Sequence, residues 1–211
     1  MEHTNVLTQI LCTILIPKLT LSSLNQQFLP TRSTNRFFHS LGTIFLFVTS
    51  DLESKICLLE NYRNTEKGCN PAYSAIQTAI EYETKENLLQ DTKRPSGART
   101  ILRLHRALEF LSAMMLNLSK LDQEDETAPS VRDAYTSTLA KHHPWTIRTI
   151  ASLAMRTLPQ KKNLVESVLG KDNSRNETLN NERMLMLANT TLNLFNVVDK
   201  YYEEHDLKSL P

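Results

Sequence analysis

Between Gly97 and Leu118 the chain reads as one long helix with two chemically opposed sides, and that pairing narrows the folds open to it. Ile101, Leu104, Leu108, Leu111, Met115 and Leu118 recur at three- and four-residue spacing and make a continuous apolar stripe. Such a stripe must face a core. Arg99, Arg103 and Arg106 stand at i, i+4 and i+7 on the other side. At roughly 100° per residue, the three guanidinium groups fall within about 60° of arc. None of them has an acid at i±4, and only Arg106 has one at i+3, Glu109. Solvent, acids from another element or an anionic ligand must therefore neutralise them. A solvated face is the commonest fate of such a cluster. Phe110 and Met114 continue the arginine side. A cationic mouth that turns apolar within two turns suits a ligand with a charged head and a greasy body.

The rest of the chain supports one all-α domain. Helical apolar spacing covers most of the 211 residues, and there are only 4 glycines. The 40% hydrophobic content is enough for one sizeable core. A formal net charge of +1 argues against bulk polyanion binding, so no nucleic acid is expected and any basic site must be local. Cys12, Cys57 and Cys69 form no CxxC pair, which fits a reducing compartment. The apolar stretch Val6–Leu24 has no positive charge ahead of it, and Thr8, Gln9, Pro17 and Lys18 interrupt it. It is read as a core helix broken at Pro17 rather than a signal peptide or membrane span.

Helices are expected over 36–63, 72–89, 97–118, 131–141, 145–158, 161–169 and 182–205, with polar connections between them. Lys93-Arg94-Pro95-Ser96-Gly97 is a basic turn leading into the arginine helix. Asp51 and Lys55 stand at i,i+4, where an ordinary helix pair or a two-sign clamp for a ligand would both fit. His142-His143-Pro144-Trp145 opens a later helix, and Trp145 is the only tryptophan. An indole there is either core or an anchor at a membrane interface. Enzyme motifs are missing: the chain has no G-x-S-x-G, H-E-x-x-H, Gly-rich phosphate loop or GxGxxG. No cofactor or metal is expected.

Four blocks give the chain a resemblance to the glycolipid transfer protein superfamily, in its ceramide-1-phosphate transfer branch. They are Ser40-Leu41-Gly42-Thr43-Ile44-Phe45 leading to Asp51 and Lys55; Gly97 through Leu108; His143-Pro144-Trp145-Thr146-Ile147-Arg148; and Tyr201 through Pro211. The resemblance implies a two-layer all-helical sandwich over residues 36–211, holding one sphingolipid between its layers. Residues 1–35 are a divergent segment in the place of the family's first helix. The Asp and Trp that members carry before the Ser40-Leu41-Gly42 block are missing from Leu24–Asn35.

By that resemblance Asp51 and His143 hold the ceramide amide. Glycolipid-specific members carry a sugar-stacking Trp at the position of Arg103 and a sugar-bonding Asn at the position of Lys55. A guanidinium and an ammonium match a phosphate far better than a neutral hexose. Lys55, Arg99 and Arg103 are therefore expected around the phosphate of ceramide-1-phosphate, with Arg106 joining them or bracing a neighbouring acid. Lys93, Arg94 and Trp145 are expected to face an anionic membrane surface. The implied function is non-enzymatic transfer of this lipid between membranes by a cytosolic, peripherally binding monomer. The alternative is a lipid-sensing module that binds without transferring.

Overall fold

The computed structural model describes residues 43–65, 68–91, 93–169 and 171–210. The readings of residues 1–42 lie outside them, including the divergent segment 1–35, the start of the helix expected over 36–63 and the Ser40-Leu41-Gly42 block. α1 spans Thr43–Arg63. A two-residue antiparallel ladder follows, with Asn64 opposite Cys69 and Thr65 opposite Gly68. A 3₁₀ turn at Pro71–Tyr73 leads to α2, Ile76–Lys85. α3 is the arginine helix, Gly97–Leu118. α4 is Thr127–Ser137, followed by a 3₁₀ turn at Leu139–His142 and α5 at Trp145–Met155. α6, Lys161–Leu169, precedes the four-residue α7, Lys171–Ser174, and the long α8, Glu177–Glu204.

α3 is the centre of the packing. Its predicted stripe is buried at Ile101, Leu104, Leu108, Met115 and Leu118, and an adjoining side carrying Ala98, His105 and Ser112 is buried as well. That second side meets α8 in antiparallel fashion. Tyr202 Oη donates to the Ala98 carbonyl at 2.7 Å, His105 stacks on Phe195 at 4.3 Å, and Ser112 Oγ donates to the Ala188 carbonyl at 2.8 Å. Each small or polar residue on α3 thus has a matched partner further back along α8. α4 packs on the lower part of the arginine side. Asn117 Nδ2 reaches Asp133 Oδ2 at 3.1 Å, and Phe110 meets Tyr135 edge-on at 6.1 Å.

Several boundaries differ from expectation, three of them with a clear local cause. α2 stops at Lys85 because the chain turns at Asn87, whose φ of 55° ends helical geometry. α4 starts at Thr127, inside the stretch expected to be a polar connection, with Pro129 in its first turn, where a missing N–H does little harm. α8 starts at Glu177 because Asn176 caps it, its side chain accepting from Leu179 N at 3.0 Å.

Candidate functional site

The N-terminus of α3 is set by a buried acid. Glu83, on α2, is wholly buried and accepts from four donors: Tyr73 Oη at 2.7 Å, Ser96 Oγ at 2.5 Å, Gly97 N at 2.7 Å and Ala98 N at 3.1 Å. A carboxylate satisfies the otherwise unpaired N–H groups of a helix start and meets the positive end of its dipole. Ser96 adds the cap, accepting from Arg99 N at 3.0 Å. Gly97 is required by this close approach. A Cβ there would lie 2.8 Å from Tyr73 Cε1 and 3.1 Å from Glu83 Oε1. Nothing in the periodicity of α2 singled out Glu83. The readable sign was a glycine at the first position of a strong helix.

The same network claims Arg94. Its guanidinium lies 4.1 Å from the centroid of the Tyr62 ring and donates to Tyr73 Oη at 2.5 Å. Burial, with Glu83 beside it, holds the Tyr73 phenol well above its ordinary pKa. Arg94 is therefore a half-buried bracing residue of the turn, while its neighbour Lys93 is exposed.

Above this base the predicted cations separate into different environments. Arg99 is half-buried and donates from Nη2 to the Asp91 carbonyl at 3.0 Å. Arg103, one turn on, is exposed, and no ion pair or hydrogen bond engages it among the described residues. Arg106 donates from Nη2 to the carbonyls of Lys208 at 2.9 Å and Leu210 at 3.0 Å. Burial and the neighbouring Arg103 charge both lower its pKa. Glu109 is not its partner; that acid faces Lys141 at 3.4 Å.

Across from α3, Asp51 and Lys55 form an ion pair within α1, as their i,i+4 spacing allowed. The carboxylate side chain is 55% exposed and the lysine 18%. An exposed helix pair of this kind adds only a few tenths of a kcal/mol, about 0.3–0.5. Lys55 has three N–H donors and Asp51 two oxygens, so pairing leaves capacity for a ligand on both.

His143 lies within reach of the Asp51 and Lys55 charges. Burial lowers its pKa, the Asp51 charge raises it and the Lys55 charge lowers it, so both charges bear on one ring. Its Nδ1 lies 2.8 Å from Tyr135 Oη. Burial raises the pKa of the Tyr135 phenol, with Arg148 acting in the opposite direction. His142, with part of its surface open, is pushed down to about 4 by desolvation and by Arg106, Lys141 and His143. The charges thus link Asp51 and Lys55 to His143, His143 to His142, His142 to Arg106, and Arg106 to Arg103. These influences connect α1, the turn before α5 and α3 through a mainly cationic set of side chains.

Trp145 opens α5 two residues beyond His143 and is 70% exposed. Ile150 and Leu153 of the same helix are also exposed. No helix among the described residues is long and apolar enough to cross a membrane.

A family model described as Glycolipid transfer protein (GLTP) matches residues 25–170. The chain belongs to the glycolipid transfer protein family. Members of this family transfer lipid without enzymatic chemistry, and the helices described above form its all-helical fold. The zebrafish (Danio rerio) ceramide-1-phosphate transfer protein is 34% identical over 179 residues, covering 83% of this chain and 82% of that protein. The human ceramide-1-phosphate transfer protein is 31% identical over 180 residues, covering 83% and 81%. The crystal structure of the mouse ceramide-1-phosphate transfer protein in its apo-form matches this fold with a TM-score of 0.73 at 29% identity, over 85% of this chain and 86% of that one. The human protein in complex with 12:0 ceramide-1-phosphate matches with a TM-score of 0.69 at 32% identity, over 83% and 84%.

Proposed function

We propose that this chain carries ceramide-1-phosphate between membranes, with the phosphate on Lys55, Arg99 and Arg103 and the ceramide amide on Asp51 and His143. The observation that carries the reading is Arg103. It is an exposed guanidinium with no partner among the described residues, repelled by Arg106, at the position where the glycolipid-selective branch stacks a sugar. A phosphate monoester removes that repulsion and accepts two parallel N–H bonds from the guanidinium fork. The solved human relative with ceramide-1-phosphate bound supports the same chemistry.

His143 suits an amide carbonyl. A neutral imidazole whose Nδ1 accepts from the Tyr135 phenol carries its proton on Nε2, ready to donate. Asp51 can only accept, which matches the lipid N–H. The core supplies the other half of the task. Spontaneous transfer is slow because each exposed CH₂ of the two chains costs about 0.8 kcal/mol in water. An apolar interior removes most of that barrier without any bond being broken.

The deciding experiment is intervesicle transfer of ceramide-1-phosphate, a neutral glycosylceramide and a glycerophosphate lipid. Preference for the first supports the reading, and binding without transfer would replace it with a sensor. Asp51→Asn should cripple transfer of every sphingolipid, because the amide is common to them all. An Asn can turn its NH₂ toward the lipid N–H and leave that donor unpaired. Loss confined to phosphate-bearing lipids would make Asp51 a headgroup residue instead.

Membrane contact belongs to the same proposal. Trp145, Ile150 and Leu153 give α5 an exposed apolar edge beside the recess, and indole favours the boundary between water and acyl chains. Trp145 emission should therefore be that of a wetted indole in buffer and shift to the blue on addition of vesicles. Emission already blue in buffer and unmoved by vesicles would place the docking face elsewhere. Lys93→Glu should weaken binding to anionic vesicles, each surface cation being worth about 1 kcal/mol there. Arg94→Glu is a poor test of docking, since it would disturb the Tyr62 and Tyr73 contacts.

A further inference from the structure

After α8 the chain folds back on itself. Asp206 adopts the left-handed conformation, with φ of 53°. Leu207 N then donates to the Tyr202 carbonyl at 2.9 Å and Asp206 N to the Glu203 carbonyl at 3.0 Å, a Schellman stop. The returning segment, residues 207–210, buries Leu207 and Leu210. It ends over Arg106, which lies more than a hundred positions earlier and bonds the carbonyls of Lys208 and Leu210.

The side chain of Lys208 closes a ring. Its Nζ meets Asp199 Oδ2 at 2.8 Å, and Asp199 Oδ1 lies 3.3 Å from Nε2 of His105. His105 is buried and precedes Arg106 on α3. Burial opposes ionisation of Asp199, yet the hydrogen bonds from Lys208 and His105 hold its carboxyl below the ordinary range. Arg106 is thus fixed from both sides: by the helix that carries it, and by a segment that the Asp199 carboxylate ties to that helix. Both N–H groups of Nη2 are occupied by the segment. The remaining three of a guanidinium's five donors stay available next to Arg103.

We infer that residues 207–210 are a positioning strap for the headgroup recess, and that Lys208 and Asp199 act on phosphate binding through Arg106 without touching the lipid. This rests on the phosphosphingolipid reading above. A cation held rigidly by carbonyl dipoles binds an anion better than one that must give up side-chain freedom on contact. Two carboxylates near it among the described residues are already engaged, Glu109 by Lys141 and Asp199 by Lys208.

The test is vesicle-based binding of ceramide-1-phosphate and of unphosphorylated ceramide by the full chain and its variants. Lys208→Met and Asp199→Asn should each weaken ceramide-1-phosphate binding about three- to fivefold, the scale of one partly exposed ion pair. Ceramide binding should not change. Lys208→Arg should restore the lost affinity. In an Arg106→Met background, Lys208→Met should cause no further loss, since the two act in series. Equal losses for both lipids, no loss at all, or full additivity with Arg106→Met would overturn the strap. If Arg106→Met alone binds ceramide-1-phosphate like the parent protein, the strap inference also falls, while a parent protein that shows no preference for the phosphorylated lipid would instead overturn the function it rests on.

Discussion

Replacing Arg103 by leucine should remove ceramide-1-phosphate transfer while leaving the thermal unfolding midpoint where it was. The side chain is exposed and bonds nothing among the described residues, so folding loses no contact with it. The ligand loses more. A charge-assisted bond to phosphate is worth about 1.5–3 kcal/mol, roughly a ten- to hundredfold drop in affinity. Arg99→Leu should be a less clean variant, since Arg99 also ties the Asp91 carbonyl to α3. Transfer rates measured with fluorescent ceramide-1-phosphate decide the matter. A rate within twofold of the parent protein would remove Arg103 from the headgroup site.

This separation between Arg103 and its neighbours marks what the sequence could and could not disclose. Periodicity along α3 placed the apolar stripe and the arginine side correctly, because both are properties of one helix read against 3.6 residues per turn. The Asp51–Lys55 pair was legible for the same reason. The partners of the other cations were not. Arg106 bonds carbonyls of a tail far away in sequence, and Arg94 rests on tyrosines from two other elements. Backbone carbonyls have no residue code, and an aromatic shelf looks like any two core tyrosines until the chain is folded. A basic turn therefore read as a membrane-facing patch when half of it is internal bracing. Tyr135, which holds His143, escaped notice because nothing in an eight-residue separation across a 3₁₀ turn announces a contact. Asn176 is a cap of a residue type legible in sequence, and it starts α8 five residues ahead of the apolar periodicity that begins at 182.

The largest effect on stability should come from Glu83, and it should reach the recess only indirectly. In Glu83→Ala, the Tyr73 and Ser96 hydroxyls and the Gly97 and Ala98 amides all lose their acceptor inside the protein. Each buried donor left unpaired costs about 1–3 kcal/mol, and partial relaxation or an entering water recovers some of the sum. A net loss of about 3–5 kcal/mol is expected, as for removal of one partner from a buried ionic group. In a chain of this size that lowers the unfolding midpoint by roughly 6–20 °C. Glu83→Gln tests the charge separately from the shape. Its oxygen can still accept, but its NH₂ must face hydroxyl and amide donors, so it should recover only part of the loss. Gly97→Ala reaches the same network from the other side, because its Cβ would stand 2.8 Å from the Tyr73 ring and must displace it. The variants should weaken Arg99 before Arg103, since Arg99 is tied to Ser96 and Asp91 at the frayed end while Arg103 lies a full turn inside α3. Circular dichroism melts give the stability and headgroup binding at low temperature gives the order of loss. A midpoint for Glu83→Ala within 2 °C of the parent protein would mean that water replaces the carboxylate at no cost, and that the start of the arginine helix does not depend on this acid.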